Sequence, residues 1–234
     1  NGNSSPSADR GVSVHFLMKR LSCEDPQFFG KLSSALAATT HNAEVERIVR
    51  DILLAVKDKG DDALIELTKQ FDNTTLPPDA IRVSSSEFIS ADEALDGSAR
   101  AAIEEARANV AHFHENARPG NWVMTNSHGG QVGERHYPLC RVGIYVPGGQ
   151  VPLVSTVVMT TSLAKAAGVA EIAVATPPRP DGSVAPSLLA ALSLCGVSEV
   201  YKVGGAQAIA AMAYGVGGVP ECDIIVGPGN AFVT

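Results

Sequence analysis

Three glycine-rich turns are the part of this sequence best suited to chemistry, because each follows a run of aliphatic residues that predicts a strand. They span residues 146–149, 204–207 and 227–230. Glycine lets the backbone approach a ligand closely, and the N–H groups that open a following helix can bind a phosphate. Gln207 and Asn230 lie in two of these turns and can both donate and accept hydrogen bonds. One such turn would most simply be a tight connection, but three together indicate a binding edge.

Motifs that would name a reaction are missing from the sequence. It contains no H-E-x-x-H, no G-x-S-x-G and no G-x-x-x-x-G-K-[ST], so zinc protease, α/β-hydrolase and P-loop functions lack their required parts. No G-x-G-x-x-G follows a predicted strand, and the second strand ends at residues 176–178 without an acidic residue to hold a ribose hydroxyl. The residues alone therefore support a nucleotide-type α/β layer without naming a cofactor, a general base or a metal site.

The elements that must position these turns form an alternating pattern in the second part of the chain. Near-continuous aliphatic runs predict strands that alternate with helical runs, which is the pattern of a parallel sheet covered by helices. The predicted strands are 142–146, 171–176, 199–203 and 223–226, and the predicted helices are about 153–167, 185–194 and 206–214. Because the carboxyl ends of parallel strands share one edge, the three turns should lie together there.

The first part of the chain reads mostly as helix. Apolar residues at helical spacing predict helices over about 45–59, 61–72 and 96–116, and residues 122–137 read as a hairpin. Of the 43 charged residues, 34 precede residue 141, which suggests two regions. We therefore expect a flexible tail at 1–14, a helical region with a hairpin at 15–140, and the parallel sheet at 141–234.

Composition excludes several classes of function. The net charge is -7 and no Lys/Arg cluster occurs, so neither nucleic acid nor an anionic membrane surface is an expected partner. The long uncharged run at 142–164 is broken early by proline and glycine and does not read as a membrane span. The four cysteines have no CxxC spacing, as in a reduced intracellular protein. We expect a cytoplasmic protein, or a plastid protein if the source is a plant.

Three phrases of the sequence closely resemble the histidinol dehydrogenase family. They lie at residues 142–149, 201–211 and 225–234, in the family's order, and the resemblance continues more weakly upstream through 60–72. It implies an α/β fold in which a helical N-terminal region precedes a Rossmann-like parallel sheet with helices on both faces. Because the chain stops one turn into an expected crossover helix, we expect this sheet to be incomplete at the C-terminus.

The resemblance also implies an activity and a set of site residues. Members of the family are zinc-dependent homodimers that oxidise L-histidinol to L-histidine through an aldehyde in two NAD-dependent hydride transfers, the last step of histidine biosynthesis. Tyr145, Gln207 and Asn230 match the family's NAD-contacting positions. A phenol and two amides suit a cofactor's ring and ribose edges, although a turn or cap role remains the alternative for each. The family's zinc ligands and its catalytic Glu-His pair would follow Thr234, so we expect no catalytic or metal-binding residue in this chain.

Two other functions compete with this one. A sister dehydrogenase of the same superfamily, acting on another primary alcohol such as a sulfonated diol, would share the cofactor turns. A non-catalytic fragment that serves in binding or dimerisation would also fit the sequence. Under either dehydrogenase reading, we expect the 234-residue chain alone to be inactive, because the acid, base and metal ligands are not among its residues.

Overall fold

The computed structural model describes residues 20–40, 43–149 and 151–233. The chain divides into two compact units, Asn1–Ala43 and Glu44–Thr234. In the first unit, helix α1 covers Phe28–Thr40, a helix that the sequence patterns did not predict. The expected tail at 1–14 lies outside the described residues, and the expected boundary at residue 140 stays a prediction.

The helices that follow confirm three predicted ones and add a fourth. They are α2 (Ala43–Lys59), α3 (Asp61–Asp72), α4 (Ser85–Glu93) and α5 (Gly97–Ala117), with a 3-10 turn at Pro78–Ala80. Gly60 separates α2 from α3 with a positive φ of 59°, which favours glycine. The helix missed from the sequence, α4, begins with a capping box in which the Ser84 and Glu87 side chains each bond the other residue's backbone N–H.

The strands follow the predicted order. A hairpin of β1 (Trp122–Thr125) and β2 (Gln131–Glu134) precedes the parallel sheet. The sheet contains β3 (Arg141–Tyr145), β4 (Glu171–Thr176), β5 (Val200–Lys202) and β6 (Ile224–Val226), and the helices between them are α6 (Val154–Ala167), α7 (Pro186–Leu194) and α8 (Gly205–Tyr214). The predicted strand–helix alternation and the parallel sheet are therefore confirmed.

The strand order across the sheet is β5-β4-β3-β6, with every neighbouring pair parallel. The chain moves outward from β3 to β5 and then returns to pair β6 on the other side of β3. In open α/β sheets, ligands bind at the point where the strand order reverses in this way. The fold therefore places a crevice outside the carboxyl ends of β3 and β6.

Alternating side chains give the sheet two buried faces. Val142 and Ile144 of β3 belong to an apolar core with residues of α5, α6 and α7. Tyr145 points to the opposite face, where it joins a second core with α3 and α8 through Leu64 and Met212. Helices thus cover both faces of the sheet, as predicted.

The amino edge of the sheet is fixed by a charged network around Arg141, the first residue of β3. Its guanidinium forms a 2.5 Å ion pair with Glu171 and a second, shorter one with Glu199. The carboxylate of Asp223 accepts the backbone N–H of Arg141 at 2.9 Å, and Tyr201 donates its hydroxyl to Glu199 at 2.7 Å. Because these groups precede β3, β4, β5 and β6 or lie within them, the network ties all four strands together at this edge.

Two further properties bear on the sequence predictions. All four cysteines are free thiols. Within the part of the chain that the structure describes, no helix has the length and apolar character needed to cross a membrane.

Candidate cofactor-binding site

A cavity of about 720 Å³ lies at the carboxyl edge of the sheet. All three glycine-rich turns contribute to its wall, through Gly148 and Gly149, Gly205 to Gln207, and Asn230. The expectation that the turns meet at one edge is therefore confirmed. The size falls within the range typical of small-molecule and cofactor sites.

Tyr145, at the end of β3, is buried in the wall of this cavity. Its hydroxyl oxygen accepts a hydrogen bond from the backbone N–H of Gly205 at 3.1 Å, which leaves the hydroxyl proton available for donation. Burial raises the pKa of Tyr145, and the neighbouring charge of Asp72 raises it further. The phenol is therefore neutral at physiological pH and can act as a hydrogen-bond donor.

Gln207 lies in the first turn of α8 and is only 1% exposed. Its Nε2 atom is buried and has no hydrogen-bond partner among the described residues. An unsatisfied buried amide donor costs free energy, so such a group usually serves a ligand or a water. Because Gln207 also lines the cavity, this amide suits a ligand that offers an acceptor there.

Asn230 lies at the rim of the cavity in the turn after β6. Its side-chain Oδ1 accepts the backbone N–H of Phe232 at 3.0 Å, and its carbonyl accepts the N–H of Val233 at 2.9 Å. The turn role considered from the sequence is therefore present. Asn230 thus stabilises the turn through its Oδ1 and also lines the cavity.

The glycines of the turns serve packing as well as access. A Cβ on Gly204 would lie 2.8 Å from side-chain atoms of Pro177, and one on Gly148 would lie 3.0 Å from the same proline. Gly227 has φ of 144°, and a Cβ there would lie 2.1 Å from the carbonyl oxygen of Tyr145. At Gly149, in contrast, nothing lies within 4 Å, so this glycine borders open space. The tight-turn explanation thus holds for three of these glycines.

The backbone donors that open α8 are partly used by the protein itself. The N–H of Gly205 bonds to Tyr145, and the N–H of Gly204 stabilises the carboxylate of Asp72. The sequence had suggested that N–H groups at such a turn could bind a phosphate. The N–H groups of Gly204 and Gly205 are already used within the protein, so a phosphate could not take both of them. The side chains of Tyr145 and Gln207 also line the cavity at this turn and add polar contacts to the backbone donors that remain.

Asp72, the last residue of α3, was not singled out from the sequence, yet it lines the cavity. Its Oδ2 atom is buried without a partner among the described residues. Burial raises the pKa of Asp72 to about 6, although the Gly204 N–H acts in the opposite direction. The sequence did contain one signal for Asp72. An acidic residue in the last turn of a helix interacts unfavourably with the helix dipole, which indicates a role other than helix stabilisation.

Other residues of the cavity wall also come from outside the glycine turns. Ile48 and Ile52 of α2 and Phe71 of α3 give it an apolar side. Arg179, in the connection after β4, adds a cation to the wall. Sequence periodicity could not find these residues, because it assigns them to helices and loops without showing which ones approach the sheet edge.

The described residues do not fit a zinc ion. Across residues 20–40, 43–149 and 151–233, no group of three or more His, Cys, Asp or Glu side chains is arranged to hold a metal. The polar side chains of the cavity wall are instead a phenol, the Thr176 hydroxyl, two amides, one carboxylate and one guanidinium. This set suits a polar organic ligand with hydroxyl and acceptor groups.

A parallel strand order that reverses, with a cavity at the reversal point, defines the class of open α/β proteins that bind ligands at the carboxyl edge of the sheet. A family model for histidinol dehydrogenase matches residues 36–234. The chain belongs to the histidinol dehydrogenase family, as the three sequence phrases had indicated.

Individual relatives agree with this assignment. The chain is 47% identical over 191 residues to the histidinol dehydrogenase of Symbiobacterium thermophilum, covering 82% of this chain and 44% of that protein. It is 45% identical over 186 residues to the enzyme of Methanothermobacter thermautotrophicus, covering 80% and 43%. The crystal structure of histidinol dehydrogenase from Elizabethkingia anophelis superimposes with a TM-score of 0.79 at 35% identity, covering 83% and 45%. The chain thus spans about half the length of the relatives it matches.

Proposed function

We propose that the complete protein oxidises L-histidinol to L-histidine through an aldehyde, using NAD, as the final step of histidine biosynthesis. In this proposal the chain supplies the cofactor side of the enzyme. The observation that carries it is the cavity at the β3–β6 strand reversal, where the buried Nε2 of Gln207 lacks a partner. Membership of the histidinol dehydrogenase family selects the substrate.

Tyr145, Gln207 and Asn230 are the proposed NAD-binding residues. Tyr145 donates a hydrogen bond from its hydroxyl to the cofactor, while the hydroxyl oxygen accepts the Gly205 N–H. Gln207 offers the Nε2 donor, and Asn230 holds the shape of the turn at the rim through its bond to Phe232. When bound, NAD supplies the hydride acceptor that the described side chains lack.

The remaining parts of the proposal concern the complete protein. We expect a zinc-dependent homodimer in the cytoplasm, with the zinc ligands and the acid–base residues in sequence that follows Thr234. Because the described residues do not fit zinc, no step of the reaction is assigned to a metal here. We expect the 234-residue chain alone to produce no histidine.

The proposal is tested by expressing the protein from its complete reading frame and following NADH formation. L-Histidinol should produce NADH and L-histidine, with two NADH for each histidine because oxidation of an alcohol to an acid removes two hydrides. Histidinol-independent turnover of a sulfonated diol would instead support the sister dehydrogenase. Absence of NAD binding and of any turnover would contradict both dehydrogenase functions.

A further inference from the structure

The carboxyl group of Asp72 borders the cavity, and the proposed function gives it no task. The residue ends α3, borders the cavity, and holds its Oδ2 atom buried without a partner among the described residues. A buried carboxylate oxygen without a hydrogen bond is costly, because desolvation is not offset. The geometry therefore indicates that a ligand completes the hydrogen bonding of this group.

The position of Asp72 relative to the sheet suggests which part of a ligand it meets. Its Oδ1 lies 2.8 Å from the point that a Cβ on Gly204 would occupy, and side-chain atoms of Pro177 lie at the same distance from that point. Gly204 follows β5, and Pro177 follows β4. Asp72 therefore lies over the carboxyl ends of these two strands, on the β4 side of the strand reversal.

In nucleotide-binding α/β folds, an acidic residue after the second strand accepts a ribose hydroxyl of the cofactor. Here the second strand of the sheet, β4, ends in Thr176 and is followed by two prolines, so it supplies no such residue. Asp72 brings a carboxylate to the same place from a helix outside the sheet.

The chemistry of a carboxylate restricts the ligand group further. An ionised carboxylate only accepts hydrogen bonds, so its partner must be a donor such as a hydroxyl. A phosphate at the same place would put two negative charges in contact inside a buried wall, which is strongly unfavourable. Arg179 also lines the cavity, but it is exposed to solvent in the connection after β4, unlike the buried Oδ2 of Asp72.

We propose that Asp72 binds a hydroxyl of the adenosine-side ribose and thereby makes the site selective for NAD over NADP. This inference rests on the proposed function, because it needs a dinucleotide in the cavity. It assigns Asp72 a contact with the cofactor and no part in the transfer of the hydride.

The experiment measures NAD and NADP dissociation constants for the complete protein and for the variants Asp72→Asn and Asp72→Ala. Loss of a hydrogen bond to a charged group should weaken NAD binding about tenfold or more. NADP binding should weaken less or improve, so the preference for NAD should fall by at least about tenfold. Glu66→Gln is the matched control, because it removes an exposed carboxylate from the same helix and should change neither constant.

A second measurement needs no substitution. The unaltered protein should bind an NAD analogue that lacks one adenosine-side ribose hydroxyl about tenfold more weakly than NAD. Equal binding of NAD and of both the 2′-deoxy and 3′-deoxy analogues would overturn the inference. So would Asp72 variants that lose NAD and NADP binding in equal proportion, since a merely structural role has that effect.

Failure of the inference is distinguishable from failure of the proposed function. If the unaltered protein binds NAD and oxidises histidinol while Asp72→Asn keeps its cofactor preference, only the inference is wrong. If the unaltered protein binds no NAD, the proposed function fails first, and the inference fails with it.

Discussion

The hydroxyl of Tyr145 accepts the backbone N–H of Gly205 across 3.1 Å, which joins the end of β3 to the first residue of α8. This bond holds two of the three glycine turns in a fixed relation, although 60 residues separate them in sequence. The hydroxyl oxygen is the acceptor in this bond, so the phenol keeps its own proton for donation.

Tyr145→Phe should leave the Gly205 N–H without its acceptor. We expect a loss of about 1–2 kcal/mol in the free energy of unfolding, from one unsatisfied buried donor, and weaker NAD binding by about tenfold. Denaturant unfolding and cofactor titration measure the two effects. Tyr137→Phe is the control, because Tyr137 is 77% exposed, and a comparable loss in that variant would speak against the assigned contact.

Gln207→Ala and Asn230→Ala should raise the KM for NAD more than the KM for histidinol. Gln207 loses the unpartnered Nε2 donor, whereas Asn230 loses the Oδ1 acceptor that shapes the turn at Phe232. Steady-state kinetics of the complete protein give both constants. Unchanged NAD binding in both variants would refute their assignment as cofactor-binding residues.

Gly227→Ala should destabilise the protein by about 2 kcal/mol or more, because the added Cβ would meet the Tyr145 carbonyl oxygen in a conformation that favours glycine. Gly149→Ala, in the turn after β3, provides the control. It adds a methyl group to open space and should change the free energy of unfolding by less than about 0.5 kcal/mol. Equal stabilities of the two variants would contradict the close approach of β6 to β3.

Arg141→Met should cost about 3 kcal/mol of unfolding free energy. The substitution leaves Glu199, whose side chain is only 18% exposed, without its cation, and an unpaired buried charge is strongly unfavourable. Arg47→Met breaks the exposed pair with Asp51 and should cost less than about 0.5 kcal/mol. Thermal or denaturant unfolding of both variants checks the contrast between the two ion pairs.

The pH dependence of stability should change in Asp72→Asn. Burial raises the pKa of Asp72 from 3.8 to about 6, so the folded protein holds this proton more tightly than the unfolded chain does. The contribution of the group to stability is complete below about pH 4 and is lost as the pH rises through about 6. Asp72→Asn should therefore be more stable than the unaltered protein at pH 7 to 8, with the two becoming equal near pH 4.

The size of that effect is on the order of 1 kcal/mol, because solvent at the open side of the cavity screens part of the charge. Unfolding curves measured from pH 4 to pH 8 give the difference directly. Parallel curves for the two proteins over the whole range would mean that the carboxyl group of Asp72 has an ordinary pKa.

The sheet could be predicted from the sequence because strands buried on both faces are near-continuous aliphatic runs. The three turns follow those strands, so their meeting at one edge was also predictable. Helix α4 was missed because its apolar pattern is short, although the capping pair of Ser84 and Glu87 marks its start. The use of the Gly204 and Gly205 N–H groups by Asp72 and Tyr145 could not be predicted, since it depends on contacts between distant segments.

The close approach of Gly227 to the carbonyl of Tyr145 means that the turns after β3 and β6 cannot be exchanged separately. A loop of different shape after β6 would displace the backbone that carries Tyr145, and through the Gly205 bond it would also move the start of α8. Transplanting this cavity into another sheet, or remodelling it for a different ligand, would therefore require all three connections to be redesigned as one block.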